Sequence, residues 1–172
     1  MKWIDYHRPS SVDEAVGLLS KYNGKARILA GGTDLLVQLR GGRYELDAVI
    51  DAKHIDELNA LSYDSTNGLT LGAAVPCHQL YGNAEIAAAY PGLMDSATLI
   101  GGIQIQGRAT LGGNLVNAAP SGDSVPSLIA HSATAKVVGP NGTRVIPAEE
   151  VCTGPGRTRL ANDEILVSIN VP

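Results

Sequence analysis

Phenylalanine is absent from this chain, and aromatic residues of every kind make up only 4% of it, as Trp3 and six tyrosines. A core must therefore be built from Leu, Ile, Val and Ala. Cysteine is nearly missing too: Cys77 and Cys152 stand far apart and form no CxxC pair, which argues against a disulfide framework and against a cysteine-rich metal or iron–sulfur site. His7, His54, His78 and His131 are dispersed with no HExxH among them, so no metal site is expected. Nowhere do about eighteen apolar residues run together, and Met1-Lys2-Trp3-Ile4-Asp5-Tyr6 has no signal core, so the expectation is a cytoplasmic protein that does not enter the membrane. The net charge is −4 and the basic residues are scattered without interleaved aromatics, which leaves out the footprint of a nucleic-acid binder. Neither GxGxxG nor GxxxxGK[ST] occurs, which excludes dinucleotide and P-loop binding in their standard forms.

What is there, 44% hydrophobic and 17% charged residues in a chain of 172, describes a folded soluble protein with one domain or two small lobes sharing a core. Ser11-Val12-Asp13-Glu14 has the form of a capping box, and Val12, Ala15, Val16 and Leu19 recur at helical spacing, so a helix is expected over about 11–22, ended by Asn23-Gly24. Ala26-Arg27-Ile28-Leu29-Ala30 reads as a strand, Leu35, Leu36 and Leu39 as a second helix ended by Gly41-Gly42, and Ala48-Val49-Ile50-Asp51 as a second strand. Strands joined by a helical crossover lie parallel. Gly31-Gly32-Thr33-Asp34 falls just past the first strand, where such sheets bind ligands.

From about residue 57 the pattern changes. Residues 60–63 and 69–73 flank an Asn-Gly turn signal, residues 76–100 look mostly helical, and residues 135–138 and 143–146 flank Pro140-Asn141-Gly142 as a second hairpin. Ser124 is a candidate cap for a helix through Ala130, and residues 164–171 read as a last strand. The expected fold class is α+β: a small parallel α/β lobe over residues 1–56 and a larger, mainly antiparallel lobe with helices over 57–172.

The most informative run is residues 109–126, which combines Gly112-Gly113 with Thr110, Asn114, Asn117, Ser121 and the acid Asp123 and is too irregular for ordinary helix or strand. It reads as a backbone-built cradle, because glycines let main-chain N–H groups approach an anion and the short side chains add hydrogen-bonding groups for a sugar. With one glycine pair in each lobe, a phosphate-and-sugar ligand would lie in the cleft between them. By the residues alone, Gly31-Gly32 also reads as a plain strand-to-helix turn, Asp34 as a first-turn helix acid and Gly112-Gly113 as a bulge. Ile100 and Leu166 read as ordinary core, and Arg108, Arg157 and Arg159 most simply as solvated charges, with approach to a phosphate or a partner left open.

Leu29-Ala30-Gly31-Gly32-Thr33-Asp34-Leu35-Leu36, then Gly72-Ala73-Ala74-Val75, Thr110-Leu111-Gly112-Gly113-Asn114, residues 118–124, and Glu164-Ile165-Leu166-Val167-Ser168-Ile169 form an ordered set. That set resembles the FAD-binding subunits or domains of the molybdenum hydroxylases, a family including xanthine dehydrogenase and the medium subunit of carbon monoxide dehydrogenase. The resemblance implies a vanillyl-alcohol-oxidase/PCMH-like fold and FAD as cofactor. It implies that residues 29–36 wrap the FAD diphosphate, that Thr110 and Asn114 bind the phosphate and ribityl region beside Gly112 and Gly113, and that Asp123 accepts hydrogen bonds from FAD hydroxyls. Ile100 and Leu166 would pack near the flavin ring.

No side chain is assigned as acid, base or nucleophile, since the flavin carries the redox chemistry. The resemblance further implies a relay of electrons from iron–sulfur clusters through FAD to an external acceptor, with a molybdenum-cofactor large subunit and an iron–sulfur small subunit as partners. The family's unit continues beyond the strand ending at Pro172 into a further small domain absent here, so the resemblance is to a unit lacking its C-terminal domain. The contrasting reading is a non-catalytic docking or binding module that keeps the fold and holds no flavin.

Overall fold

The computed structural model describes residues 3–172; Met1 and Lys2, which open the lobe expected over 1–56 and the N-terminal run read as free of a signal core, lie outside the described residues. Among the described residues the first sheet is built by β1 (Asp5–His7), β2 (Ala26–Leu29) and β3 (Ala48–Asp51), all parallel in the order β1-β3-β2. The crossovers are α1 (Val12–Tyr22) and α2 (Leu35–Arg40). The apolar run of β3 follows from its central place, since all four of its residues are buried. β1 was not expected: three residues, two of them exposed, carry no readable period.

α1 begins as its sequence directs, with the Ser11 hydroxyl accepting from the Glu14 N–H at 3.2 Å. The return bond of the capping box goes one residue further back, from the Ser10 N–H to Glu14 Oε2 at 2.9 Å. Asn23 ends the helix in the left-handed region at φ 43°, its N–H reaching the carbonyls of Leu19 and Ser20. Val12, Ala15, Val16 and Leu19 form the buried face, each fully buried Val or Leu stabilising the fold by about 1.5–3 kcal/mol.

After a 3-10 turn (Ala52–His54) and α3 (Asp56–Asn59), the first hairpin pairs β4 (Leu61–Asp64) with β5 (Gly68–Gly72). Its turn is closed by Asp64 Oδ1, which accepts from the Thr66 and Asn67 N–H groups. The helical stretch resolves into α4 (Cys77–Tyr81), α5 (Ala84–Ala89), α6 (Pro91–Leu99) and α7 (Ile103–Gln106). Then come α8 (Leu111–Asn117), α9 (Val125–Ala130), the hairpin β6 (Thr134–Gly139) with β7 (Gly142–Pro147), α10 (Ala148–Val151), a short ribbon of β8 (Cys152–Gly154) and β9 (Arg157–Thr158), and β10 (Ile165–Val171).

The run 109–126 is thus not irregular throughout. Gly112 and Gly113 lie inside the first turn of α8, because Thr110 caps that turn and outweighs the low helix propensity of the pair. α9 forms where expected, but without the Ser124 cap: Ser124 is itself helical, and its hydroxyl donates to Asn114 Oδ1 at 2.7 Å instead.

The last strand holds the molecule together. β10 lies at the centre of a five-stranded sheet ordered β4-β5-β10-β6-β7, antiparallel to both neighbours. Against β6 its register shifts between Leu166 and Ser168, and the extra residue reverses which side chains face which way. Before the shift Ile165 and Val167 pack into the cluster under α1 and β3; after it Ile169 and Val171 join Leu166 in the larger cluster under α6, α8 and α9. One strand therefore supplies both cores.

Candidate functional site

β2 runs into the loop of residues 30–34 at the carboxyl edge of the parallel sheet, where the strand ends and α2 has not begun. Gly32 takes φ +80°, a conformation that a side chain strains. Gly31 is needed for a different reason: a Cβ there would stand 1.9 Å from the carbonyl oxygen of Arg108. The first loop is thus pressed onto the chain that leads into the second.

That second segment is held at both sides. Thr110 makes an antiparallel bridge with Pro76, the Cys77 N–H donates to the Ala109 carbonyl at 2.8 Å, and Thr110 Oγ1 accepts from the Gly113 N–H at 2.8 Å. A Cβ on Gly112 would meet the Ala73 carbonyl oxygen at 2.5 Å, whereas one on Gly113 would meet only Thr110 Oγ1 at 2.9 Å. Asn114 Oδ1 accepts from both the N–H and the hydroxyl of Ser124. Across the gap, Gln38 Nε2 of α2 donates to Asn117 Oδ1 of α8 at 3.0 Å, tying the two lobes.

Between the lobes lies a cleft of about 510 Å³. It is lined by Ala30, Gly31, Gly32, Thr33, Asp34 and Leu35 from the first loop, by Thr110, Gly112, Gly113 and Asn114 from the second, and by Ile100 and Leu166. Leu29, Leu36 and Asp123, which the resemblance sets at the cofactor, are not on its wall. Leu29 is buried behind the loop, Leu36 is 53% exposed on α2, and Asp123 is exposed on the turn between α8 and α9. In the first loop the backbone N–H groups from Gly31 to Leu35 donate to no acceptor among the described residues, leaving five consecutive donors along the cleft.

Sequence reasoning missed part of the wall. Arg27, Ile28 and Tyr44 line the cleft from the parallel lobe, and Thr153, residues 156–158, residues 160–162 and Glu164 line it from the other. Arg157, read as a solvated charge, is among them. Gly154-Pro155-Gly156 is a turn signal that marks the β8–β9 ribbon, but nothing local directs that ribbon to the cleft.

Charge supports the first loop from behind. Asp51 at the end of β3 is buried; burial alone raises a carboxyl's pKa, but hydrogen bonds from Lys53 and Tyr6 outweigh it and hold the group below its ordinary value. Lys53 Nζ donates to Asp51 Oδ1 at 2.6 Å and, at 3.5 Å, to the Ala30 carbonyl of the loop itself. Burial pushes the Cys77 thiol up to about 11 and raises that of Cys152, so both are poor nucleophiles. Among the described residues no cluster of His, Cys, Asp or Glu is arranged to hold a metal, and no helix is long and apolar enough to cross a membrane. Main-chain N–H groups of the first loop line the cleft, an arrangement chemically suited to an anion.

Residues 2–172 match the family described as the FAD binding domain in molybdopterin dehydrogenase. The chain belongs to that family. It is homologous to FAD subunits of oxidoreductases: the xanthine dehydrogenase FAD-binding subunit of Escherichia coli O157:H7 is 35% identical over 170 residues, which is 99% of this chain and 58% of that one. In structure it superposes on carbon monoxide dehydrogenase from Hydrogenophaga pseudoflava with a TM-score of 0.94 at 33% identity, covering 99% of this chain and 59% of that one. Quinoline 2-oxidoreductase from Pseudomonas putida 86 matches with a TM-score of 0.92 at 26% identity, covering 100% of this chain and 61% of that one. The fold of this chain, a parallel three-stranded lobe against an antiparallel five-stranded one, is the α+β, PCMH-like architecture expected. The chain spans 58% of the length of the xanthine dehydrogenase subunit.

Proposed function

We propose that the cleft holds FAD and that the chain, with residues 1–56 and 57–172 as its two lobes, is the flavin module of a molybdenum-containing hydroxylase or dehydrogenase. The observation that carries this reading is the run of five unpaired N–H donors from Gly31 to Leu35, facing the second glycine pair across one cleft. Such a run fits a diphosphate, because main-chain dipoles stabilise an anion without a buried counter-charge.

The diphosphate would lie on residues 30–35, with the Thr33 hydroxyl as a further donor and Leu29 and Leu36 supporting the loop from behind and outside. Thr110 and Asn114 would meet the phosphate and ribityl region. The Thr110 oxygen already accepts from Gly113 and Asn114 Oδ1 is committed to Ser124, so the hydroxyl proton of the one and the amide group of the other are left to donate. Ile100 and Leu166, both buried at the cleft wall, would pack on the flavin ring. Asp123, exposed beside the second loop, would accept from FAD hydroxyls. When bound, FAD supplies the redox chemistry, and in this reading the module would relay electrons from iron–sulfur clusters to an external acceptor. The partners in this reading are a molybdenum-cofactor large subunit and an iron–sulfur small subunit, and the compartment is cytoplasmic, in keeping with two cysteines that remain free thiols.

A second reading, a docking module without flavin, is favoured by exposed Leu36, Val37, Leu99 and Ile103. The two separate on one measurement: a visible spectrum after incubation with FAD and gel filtration. A retained flavin band supports the first; a colourless protein overturns it. Gly113→Val should lower FAD affinity by about tenfold or more while the chain still folds, since a Cβ there would meet only Thr110 Oγ1 and Gly113 lines the cleft. Unchanged affinity would remove the second loop from the site.

A further inference from the structure

We infer that the Arg144–Glu164 ion pair positions the outer wall of the cleft and so makes the site select a flavin dinucleotide over a mononucleotide; this rests on the FAD reading above. The segment between β9 and β10 has little structure of its own, yet it lines the cleft through Leu160, Ala161 and Asn162. One guanidinium holds both of its ends. Arg144 Nε donates to Glu164 Oε1 at 2.8 Å and Arg144 Nη2 to Glu164 Oε2 at 2.7 Å, while Nη2 also donates to the Arg159 carbonyl at 2.9 Å. Within the segment the Ala161 N–H donates to Glu164 Oε2 at 2.7 Å and the Glu164 N–H to the Ala161 carbonyl at 3.1 Å. Arg144 also holds the Glu164 carboxyl below its ordinary pKa, so the pair is ionised at neutral pH.

The segment so fixed reaches the other lobe. The Asn162 amide nitrogen stands 3.0 Å from where a Cβ on Gly24 would sit, against the left-handed turn between α1 and β2. The same cleft is lined there by Arg27 and Ile28 of β2 and by Tyr44, whose ring carries the Arg27 guanidinium 5.2 Å from its centroid. Arg27 precedes Gly31 by four residues, roughly 13 Å along a strand. The cleft therefore continues well past the phosphate cradle to a planar aromatic–guanidinium pair of the kind that stacks on nucleobases. FMN has no group to place there; FAD has its adenosine.

The test is the ratio of dissociation constants of the whole chain for FAD and FMN, by flavin fluorescence, in wild type, Arg144→Ala and Arg144→Lys. Arg144 is not on the cleft wall, so its loss is expected to weaken FAD by about tenfold and to leave FMN within about twofold. Arg144→Lys should fall between, because an ammonium makes one of the two parallel bonds and keeps the charge. ADP should displace FAD from the wild type and fail to do so from Arg144→Ala at the same concentration. Without ligand, trypsin should cut after Arg157 and Arg159 faster in Arg144→Ala. An unchanged FAD-to-FMN ratio in both variants, or equal weakening of both flavins, overturns this inference alone. A wild type that binds neither flavin overturns the FAD reading and the inference together.

Discussion

Gly31-Gly32 and Gly112-Gly113 are the same dipeptide placed once in each lobe, and the structure uses them differently. In the first pair the leading glycine permits contact between the two loops and the second supplies a left-handed turn at φ +80°. In the second pair the leading glycine packs on Ala73, and the other, inside a capped helix, faces almost nothing. The supports differ as well. Behind the first loop stand the charges of Asp51 and Lys53; the second is held by the neutral hydroxyls and amides of Thr110, Asn114 and Ser124. Identical glycine pairs can thus answer to different constraints: close backbone approach, backbone sign, or open space for a ligand.

Substitutions should rank these constraints. Gly31→Ala has the largest expected effect, about 3 kcal/mol or more of lost stability in urea unfolding, because the obstacle at 1.9 Å is backbone and cannot rotate away. A loss under about 1 kcal/mol would mean the loops are not in firm contact. Gly112→Ala should cost about 2 kcal/mol, its clash with Ala73 partly offset by better helix propensity. Thr110→Ala removes the cap of α8 and should cost about 1 kcal/mol by thermal unfolding, with more amide exchange in residues 111–114.

The smallest effect separates the supports by pH. The Asp51 carboxyl is held below its ordinary 3.8, so the stabilisation it contributes is complete above that value and is lost as pH falls through the lower folded-state value. Acidification below 3.8 should therefore raise amide exchange in residues 30–35 before residues 110–114, and Asp51→Asn should flatten the acid limb of the stability curve. Equal loosening of both loops would break the contrast.

Much of the fold was legible because its signals are local. Ser11 and Glu14 start α1, Asn23 stops it, and the turn residues at 64–68 and 140–142 mark two hairpins, each within a few residues of the structure it specifies. β1 and the β8–β9 ribbon were not legible, since strands of three residues or fewer carry too little pattern to stand out from loop. The run 109–126 misled through its glycines: propensity argued against a helix, and one hydroxyl cap reversed the outcome. On the cleft wall, the two glycine loops were readable, while Arg27, Tyr44, residues 156–158 and residues 160–162 were not.

The sequence by itself determined the two kinds of lobe, the parallel crossover and the two glycine turns, because each depends on spacing, turn residues or composition within a short window. Only the tertiary structure decided that Gly31 meets Arg108, that Asn162 crosses to Gly24, that Arg144 holds the far wall and that β10 supplies two cores after a single register shift. Those contacts join residues tens of positions apart. Their geometry comes from how the sheets pack, and no local propensity encodes it.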